Sequence, residues 1–323
     1  MRLQRVVLSA FFLGLGVLAV RARPAAADPD PDPPPITSPP ELPGVSPGAK
    51  GEVDTDDDAH PHVEPTKPKP ATFTLTRIKL SEREGMLLVP GGRFAMGTNM
   101  PKAPLNERPP RTVVVAPYWL DRTEVTVSAY RACVEHNHCE RPRKSSASCT
   151  FDLGDGALPV SCVRWADADA YCQSVQKRLP TEIEWEFAAR GSSGYMYPWG
   201  NRFSDCKLAN TLIRDNSGRP CASHPSRVGS TQSNASVFGF LDMAGNVQEW
   251  TGDWYTETLS DLAPRAGASH TLRGGGWLSS PSRSRTTTRD WGSALEAGPN
   301  VGFRCARDAS TPPGASKPKP RDR

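Results

Sequence analysis

The sequence predicts an irregular α+β domain, disulfide-stabilised and low in regular secondary structure, between two tails that stay outside its core. Three observations lead there. Hydrophobic periodicities are short and mixed, with few helical stretches among many loops. All eight tryptophans lie between Trp119 and Trp291, which marks one core. The eight cysteines are an even number behind an export-type amino terminus, which predicts disulfides.

Residues 1–27 read as a signal peptide. Arg2 and Arg5 supply a basic start, Val6–Val20 an apolar run, and Ala25–Ala27 a small-residue cleavage site. Fifteen apolar residues are short for a membrane span. The mature protein is therefore expected to be periplasmic or secreted, with no transmembrane segment. Residues 28–71 read as a Pro/Asp-rich disordered linker: Asp28–Pro70 holds thirteen prolines and no Phe, Tyr or Trp. Residues 309–323 read as a basic, Pro-rich disordered tail, and KPKP occurs in both flanks, at Lys67–Pro70 and Lys317–Pro320. The body, residues 72–308, is long enough for one sizeable core.

Within the body, Met86–Val89 and Thr112–Val115 have strand patterns. Thr126–Val134 and Ala166–Val175 have short helical ones. Leu179–Gly191 carries the fullest helix signature: Pro180, a Thr181/Glu184 capping box and a Gly191 stop. Beyond Gly191 the chain is rich in Gly, Ser, Asn and Pro, with scattered short strands.

Composition excludes one class of partner. Cleavage after Ala27 takes the 39 basic residues to 35, equal to the 35 acids. No basic excess for nucleic acid is left.

The segment Gly239–Trp254, GFLDMAGNVQEWTGDW, is the densest in chemistry. Asp242 and Glu249 flank a Gly245-Asn246 turn, and Trp250 and Trp254 can pin it to a core. Two carboxylates and several carbonyls near one turn suit calcium, which takes six to eight oxygens. A turn between strands with its acids in water is the competing reading. Cys206 and Cys221 bracket one loop. Cys133, Cys139, Cys149 and Cys162 allow three pairings, of which Cys133–Cys139 with Cys149–Cys162 is preferred. His136 and His138 beside Cys139 are ligand types for zinc or copper, but an oxidised Cys139 in a surface loop is the simpler expectation.

The motifs together resemble the sulfatase-modifying-factor, or formylglycine-generating enzyme, family. They begin with Pro90–Gly97 (PGGRFAMG), Glu107-Arg108-Pro109 and Glu124-Val125-Thr126. They continue with Pro159–Trp165, Lys177–Glu182, Glu184-Trp185-Glu186 and Tyr197–Asn201, then the Gly239–Trp254 segment, Arg273–Trp277 and Gly302–Cys305. The blocks keep the family's order across Met86–Asp308. The resemblance implies a variant C-type-lectin-like fold. It also implies structural calcium on the side chains of Asp242 and Glu249 and the carbonyls of Met243, Gly245 and Val247. A second calcium site would begin at Asn210 and Thr211, but the acid expected downstream has no clear counterpart. Of the family's two disulfides, the resemblance implies Cys172–Cys305. The other has lost both partners, with Ala189 at one position and no cysteine in Thr286–Arg289.

The chain departs from the enzyme at its catalytic centre. The family's two copper-binding cysteines fall at Ser279 and Ser284, and no cysteine lies between Cys221 and Cys305. Cu(I) selects soft thiolates, so copper is not expected. Arg283, Arg285 and Arg289 follow in a stretch that lines the family's substrate groove. They could fork an anionic ligand, or pair with carboxylates of the chain itself. The expected function is a non-catalytic, calcium-stabilised binding protein with a peptide, glycan or cell-envelope partner. The alternative is an oxidoreductase of the same superfamily with different chemistry.

Overall fold

A computed structural model describes residues 82–143, 146–202, 206–213, 221–259 and 266–309. The signal peptide, the linker, residues 72–81 of the body and the tail beyond Ala309 lie outside the described residues. No helix among the described residues is long and apolar enough to cross a membrane.

Strands β1 (Glu82–Arg83), β2 (Met86–Val89) and β5 (Tyr118–Asp121) join β10 (Ala306–Asp308) in one antiparallel sheet of order β1-β2-β5-β10. Between them β3 (Gly92–Met96) and β4 (Arg111–Val115) form a two-stranded ribbon. The third sheet has order β8-β7-β6-β9, from β6 (Gln248–Trp254), β7 (Ser269–Arg273), β8 (Arg289–Ser293) and β9 (Val301–Gly302). Only the β6–β9 pairing is parallel among these. Mixed small sheets with few helices match the α+β class read from the sequence.

The helices are α1 (Val127–Glu135), α2 (Trp165–Ser174) and α3 (Glu182–Arg190). Their capping chemistry sets their ends. Thr126 Oγ1 accepts from Ala129 N at the start of α1. At α3, Thr181 Oγ1 accepts from Glu184 N at 3.2 Å while the Glu184 carboxylate accepts from Thr181 N at 2.8 Å. Gly191 closes α3 with φ +58°, where a side chain would be strained. Every α3 residue except Ile183 is buried, acids included. A helix sunk in the core with Glu182, Glu184, Glu186 and Arg190 on it must find countercharges inside the protein.

Two apolar clusters fill the interior. One gathers Val89, Met96, Leu120, Trp185, Phe240 and Met243 between the first sheet and α3. The other packs Val127, Tyr130, Val163, Cys172, Trp250 and Phe303 around α1, α2 and β6. Buried His270 on β7 is stacked between Trp165 and Trp254, with ring centroids 3.8 and 3.9 Å away, and its Nδ1 has no partner.

Four disulfides use all eight cysteines. Cys133 joins Cys139, Cys149 joins Cys162, Cys206 joins Cys221, and Cys172 joins Cys305. The last ties α2 to the end of the chain across 133 positions, with both sulfurs' residues fully buried.

Candidate ligand-binding site and charged turn

The stretch that follows β7 is shaped by glycine. Gly274 and Gly275 take φ of +88° and +63°. A Cβ on Gly275 would stand 2.5 Å from Ser284 Oγ, and one on Gly276 2.3 Å from Asn300 Oδ1. Only a bare backbone lets these segments close. Trp277 N donates to Asn246 O, and Leu278 N donates to Asn300 Oδ1. The Ser279 hydroxyl oxygen accepts from Gly276 N at 3.0 Å, and Ser279 O accepts from Leu212 N. Exposed Leu212 and Leu278 therefore flank half-buried Ser279. A 3-10 turn, Pro281–Ser284, then buries Ser284, whose hydroxyl points to Ser280 O at 3.4 Å. Tyr197, stacked on Trp199, donates its hydroxyl to Pro281 O.

Neither serine has a nucleophile's usual partners among the described residues. Among the described residues no His, Lys, Asp or Glu is hydrogen-bonded to Ser279 or Ser284, so no base is in place to take a hydroxyl proton. No cysteine is free.

The three arginines are placed differently from an open anion cradle. Arg285 forks Glu107 with bonds of 2.7 and 2.8 Å, and Glu107 also accepts from Thr287 Oγ1. Arg289 forks Glu182 at 2.6 and 2.8 Å and donates to Asn106 O and Thr256 O. Both guanidiniums are buried. Burial works against the charge of Arg289, yet Glu182 beside it holds its pKa above the ordinary value. Arg283 alone reaches solvent, paired with Asp290 at 2.6 Å. The expectation of a three-arginine ligand groove is corrected to this extent: buried Glu107 and Glu182 take Arg285 and Arg289. The network extends through Arg273, fully buried, which bridges Glu182 and Glu186. Sequence reading missed it because the pairs lie 178 and 107 positions apart. The available signal was a pair of acids at i and i+4, Glu182 and Glu186, in the stretch with the fullest helix signature.

At the Asp242–Glu249 turn both carboxylates already have partners. Asp242 accepts from Gly229 N and Asn234 Nδ2. Glu249 is forked by fully buried Arg304 at 2.7 Å through each oxygen and accepts from Trp185 Nε1. Arg304 also donates to the carbonyls of Asp121, Arg122 and Leu241. Glu124 completes the group: its Oε1 accepts from Asn246 Nδ2, and its buried Oε2 has no partner. Burial, then Asp242 and Glu249, push the Glu124 carboxyl well above its usual range. Three carboxylates thus face one guanidinium, and the turn carries surplus negative charge. That surplus and the orphan oxygen fit a cation in charge and donor type. Yet no three His, Cys, Asp or Glu side chains among the described residues gather as a metal cluster. A cation here would have to draw on the carbonyls of Met243, Gly245 and Val247. Nearby, Asn210 Oδ1 and Thr211 Oγ1 are also buried without partners, and Asn210 O accepts from Asn246 N. His136 and His138 stack on each other beside the oxidised Cys139.

The geometry can be set beside known proteins. The sulfatase-modifying factor enzyme 1-like domain model matches residues 73–309. An inactive C-alpha-formylglycine-generating enzyme 2 from Bos taurus is 33% identical over 279 residues, covering 71% of this chain and 90% of the relative. A formylglycine-generating enzyme from Streptomyces coelicolor is 30% identical over 290 residues, covering 72% and 92%. Among solved structures, PvdO from Pseudomonas aeruginosa aligns with a TM-score of 0.59 at 26% identity, covering 69% of this chain and 94% of that one. Treponema denticola variable protein 1 shares the fold, with a TM-score of 0.56, 24% identity, and coverage of 69% and 94%.

Proposed function

Because the chain belongs to the sulfatase-modifying-factor family, we propose that it is a non-catalytic, exported binding member of that family. One observation carries the reading. No cysteine lies between Cys221 and Cys305, the stretch in which the resemblance puts the family's copper-binding pair near Ser279 and Ser284, and every cysteine of the chain is in a disulfide. No thiolate is left to bind Cu(I) or to oxidise a substrate thiol. Relatives described as inactive at 33% and 32% identity support this reading. Four disulfides fit an oxidising compartment, extracellular or lumenal, and the 1–27 leader makes periplasmic or secreted the finer assignment. Calcium at the Asp242–Glu249 turn would add structural stability. The ligand would be a peptide, a glycan or a cell-envelope protein, taken at the surface where Leu212, Leu278 and Ser279 meet.

The test is chemical. The purified protein is incubated with a sulfatase-type cysteine peptide, with and without added copper, and the peptide is examined by mass spectrometry. The expected result is no aldehyde above a protein-free control; turnover above that control would refute the reading.

A further inference from the structure

We propose a second site, for a small oxyanion, in the cleft between the turn after β3 and the residues that follow α3. The cleft has a volume of about 200 Å³ and is lined by Gly97, Thr98, Asn99, Arg190, Ser192 and Gly194, among others. It includes none of the Ser279–Arg289 residues, so it stands independently of the function proposed above.

Arg190 is its cation. The residue is 6% exposed. Its Nη1 donates to Gly97 O at 2.9 Å and to Glu186 Oε1 at 3.0 Å. Its Nε is buried and has no partner. Its Nη2 lies beside Gly194, where an added Cβ would come within 3.3 Å of it, and takes no hydrogen bond among the described residues. The charge balance around it is incomplete. Glu186 is its carboxylate partner, but Glu186 is shared: one oxygen also accepts from Gly97 N, and the other from Arg273 Nη2. One buried carboxylate therefore serves two buried guanidiniums. An almost fully buried arginine whose Nε has no partner is costly unless something answers it.

The lining suits an oxyanion. It contains no Asp or Glu. Thr98 and Ser192 carry hydroxyls and Asn99 an amide, each able to donate to an oxygen. Gly194, with φ +68°, leaves the approach to Nη2 free of a side chain. A guanidinium edge with neutral donors around it recognises a carboxylate, sulfate or phosphate group through charge-assisted bonds. The small volume limits the ligand to a small molecule or the end of a chain.

The experiment is calorimetric titration of the full chain with sulfate, phosphate and acetate at fixed ionic strength, against a chloride control. Ser192 is exposed, so Ser192→Asp adds a negative charge to the lining without disturbing the core. Arg190→Lys keeps the charge and removes the fork. The expected result is saturable binding of at least one oxyanion by the wild type. Ser192→Asp, with an unchanged melting curve, should weaken that binding by about tenfold or more through like-charge repulsion. Arg190→Lys should weaken it as well. Three results would overturn the site: no saturable binding of any of the three, an equal response to chloride, or Ser192→Asp binding as the wild type does.

Discussion

The stacked His270 and its neighbour Asp253 give a prediction with an unusual sign. Burial pushes the His270 imidazole down from 6.5 to about 4, partly offset by its contact with the Asp253 backbone. Burial pushes the Asp253 carboxyl up from 3.8 to about 6, although Asp253 accepts from Glu182 N. For His270, the unfolded chain holds the extra proton between about pH 4 and 6.5, so stability falls as pH falls through that window. For Asp253, the folded protein holds the extra proton between about pH 4 and 6, so stability falls as pH rises through that window. The shifts are about 2.5 pH units for His270 and about 2 for Asp253, each about 3 kcal/mol at most. The two slopes oppose each other over nearly the same range and largely cancel. Asp253→Asn removes one of them and leaves an acceptor for Glu182 N. Urea unfolding of both proteins from pH 4 to 7 measures the difference. The variant should gain about 3 kcal/mol relative to the wild type as pH rises from 4 to 6, and stay more stable above that. A difference curve flat within 0.5 kcal/mol, on the order of a surface effect, would refute the assignment of opposed protons.

Three further outcomes are expected. Arg304→Met leaves Glu249 and three carbonyls without their buried partner and should cost about 3–5 kcal/mol in urea unfolding; a loss under about 1 kcal/mol would contradict the charge balance drawn for the turn. If calcium binds that turn, thermal melts with calcium and with chelator should differ by several degrees, because a hundredfold excess over Kd adds about 2.7 kcal/mol, and Glu249→Gln should shrink the gap; identical wild-type melts would end the proposal. Opening the 133-position Cys172–Cys305 loop should cost about 5 kcal/mol, against about 3 for the 15-position Cys206–Cys221 loop, so Cys305→Ser should lower the yield of folded protein more than Cys221→Ser; equal yields would contradict this order.

What the sequence made legible was local or motif-borne. The α3 boundaries follow from Thr181, Glu184 and Gly191, because a capping box and a left-handed stop act within one helical turn. Strand β2 was read over Met86–Val89 and β4 from Thr112, one residue inside its observed start at Arg111. The lack of any cysteine between Cys221 and Cys305 was readable directly. The destination of Arg285 and Arg289 was not readable. A guanidinium carries no sequence label for its partner, and burial of Glu107 and Glu182 emerges only once the β-ribbon, α3 and the third sheet pack together. Glu124 was missed for the same reason: it joins Asp242 and Glu249 from 122 positions before Asn246.

The order in which the chain is made acquires a meaning from the way it ends. Phe303, Arg304, Cys305 and Ala306 are all fully buried. Phe303 sits in one apolar cluster and Ala306 in the other, while β10 closes the first sheet against β5. Arg304 reaches back to Glu249 and to the carbonyls of Asp121 and Arg122. A ribosome that has delivered everything up to Asn300 has yet to deliver members of both clusters and the strand that pairs with β5. The nascent domain cannot complete both clusters and the first sheet until residues 303–308 have been made. This also means that a chain stopped just before Phe303 would lack the keystone, not a trailing end.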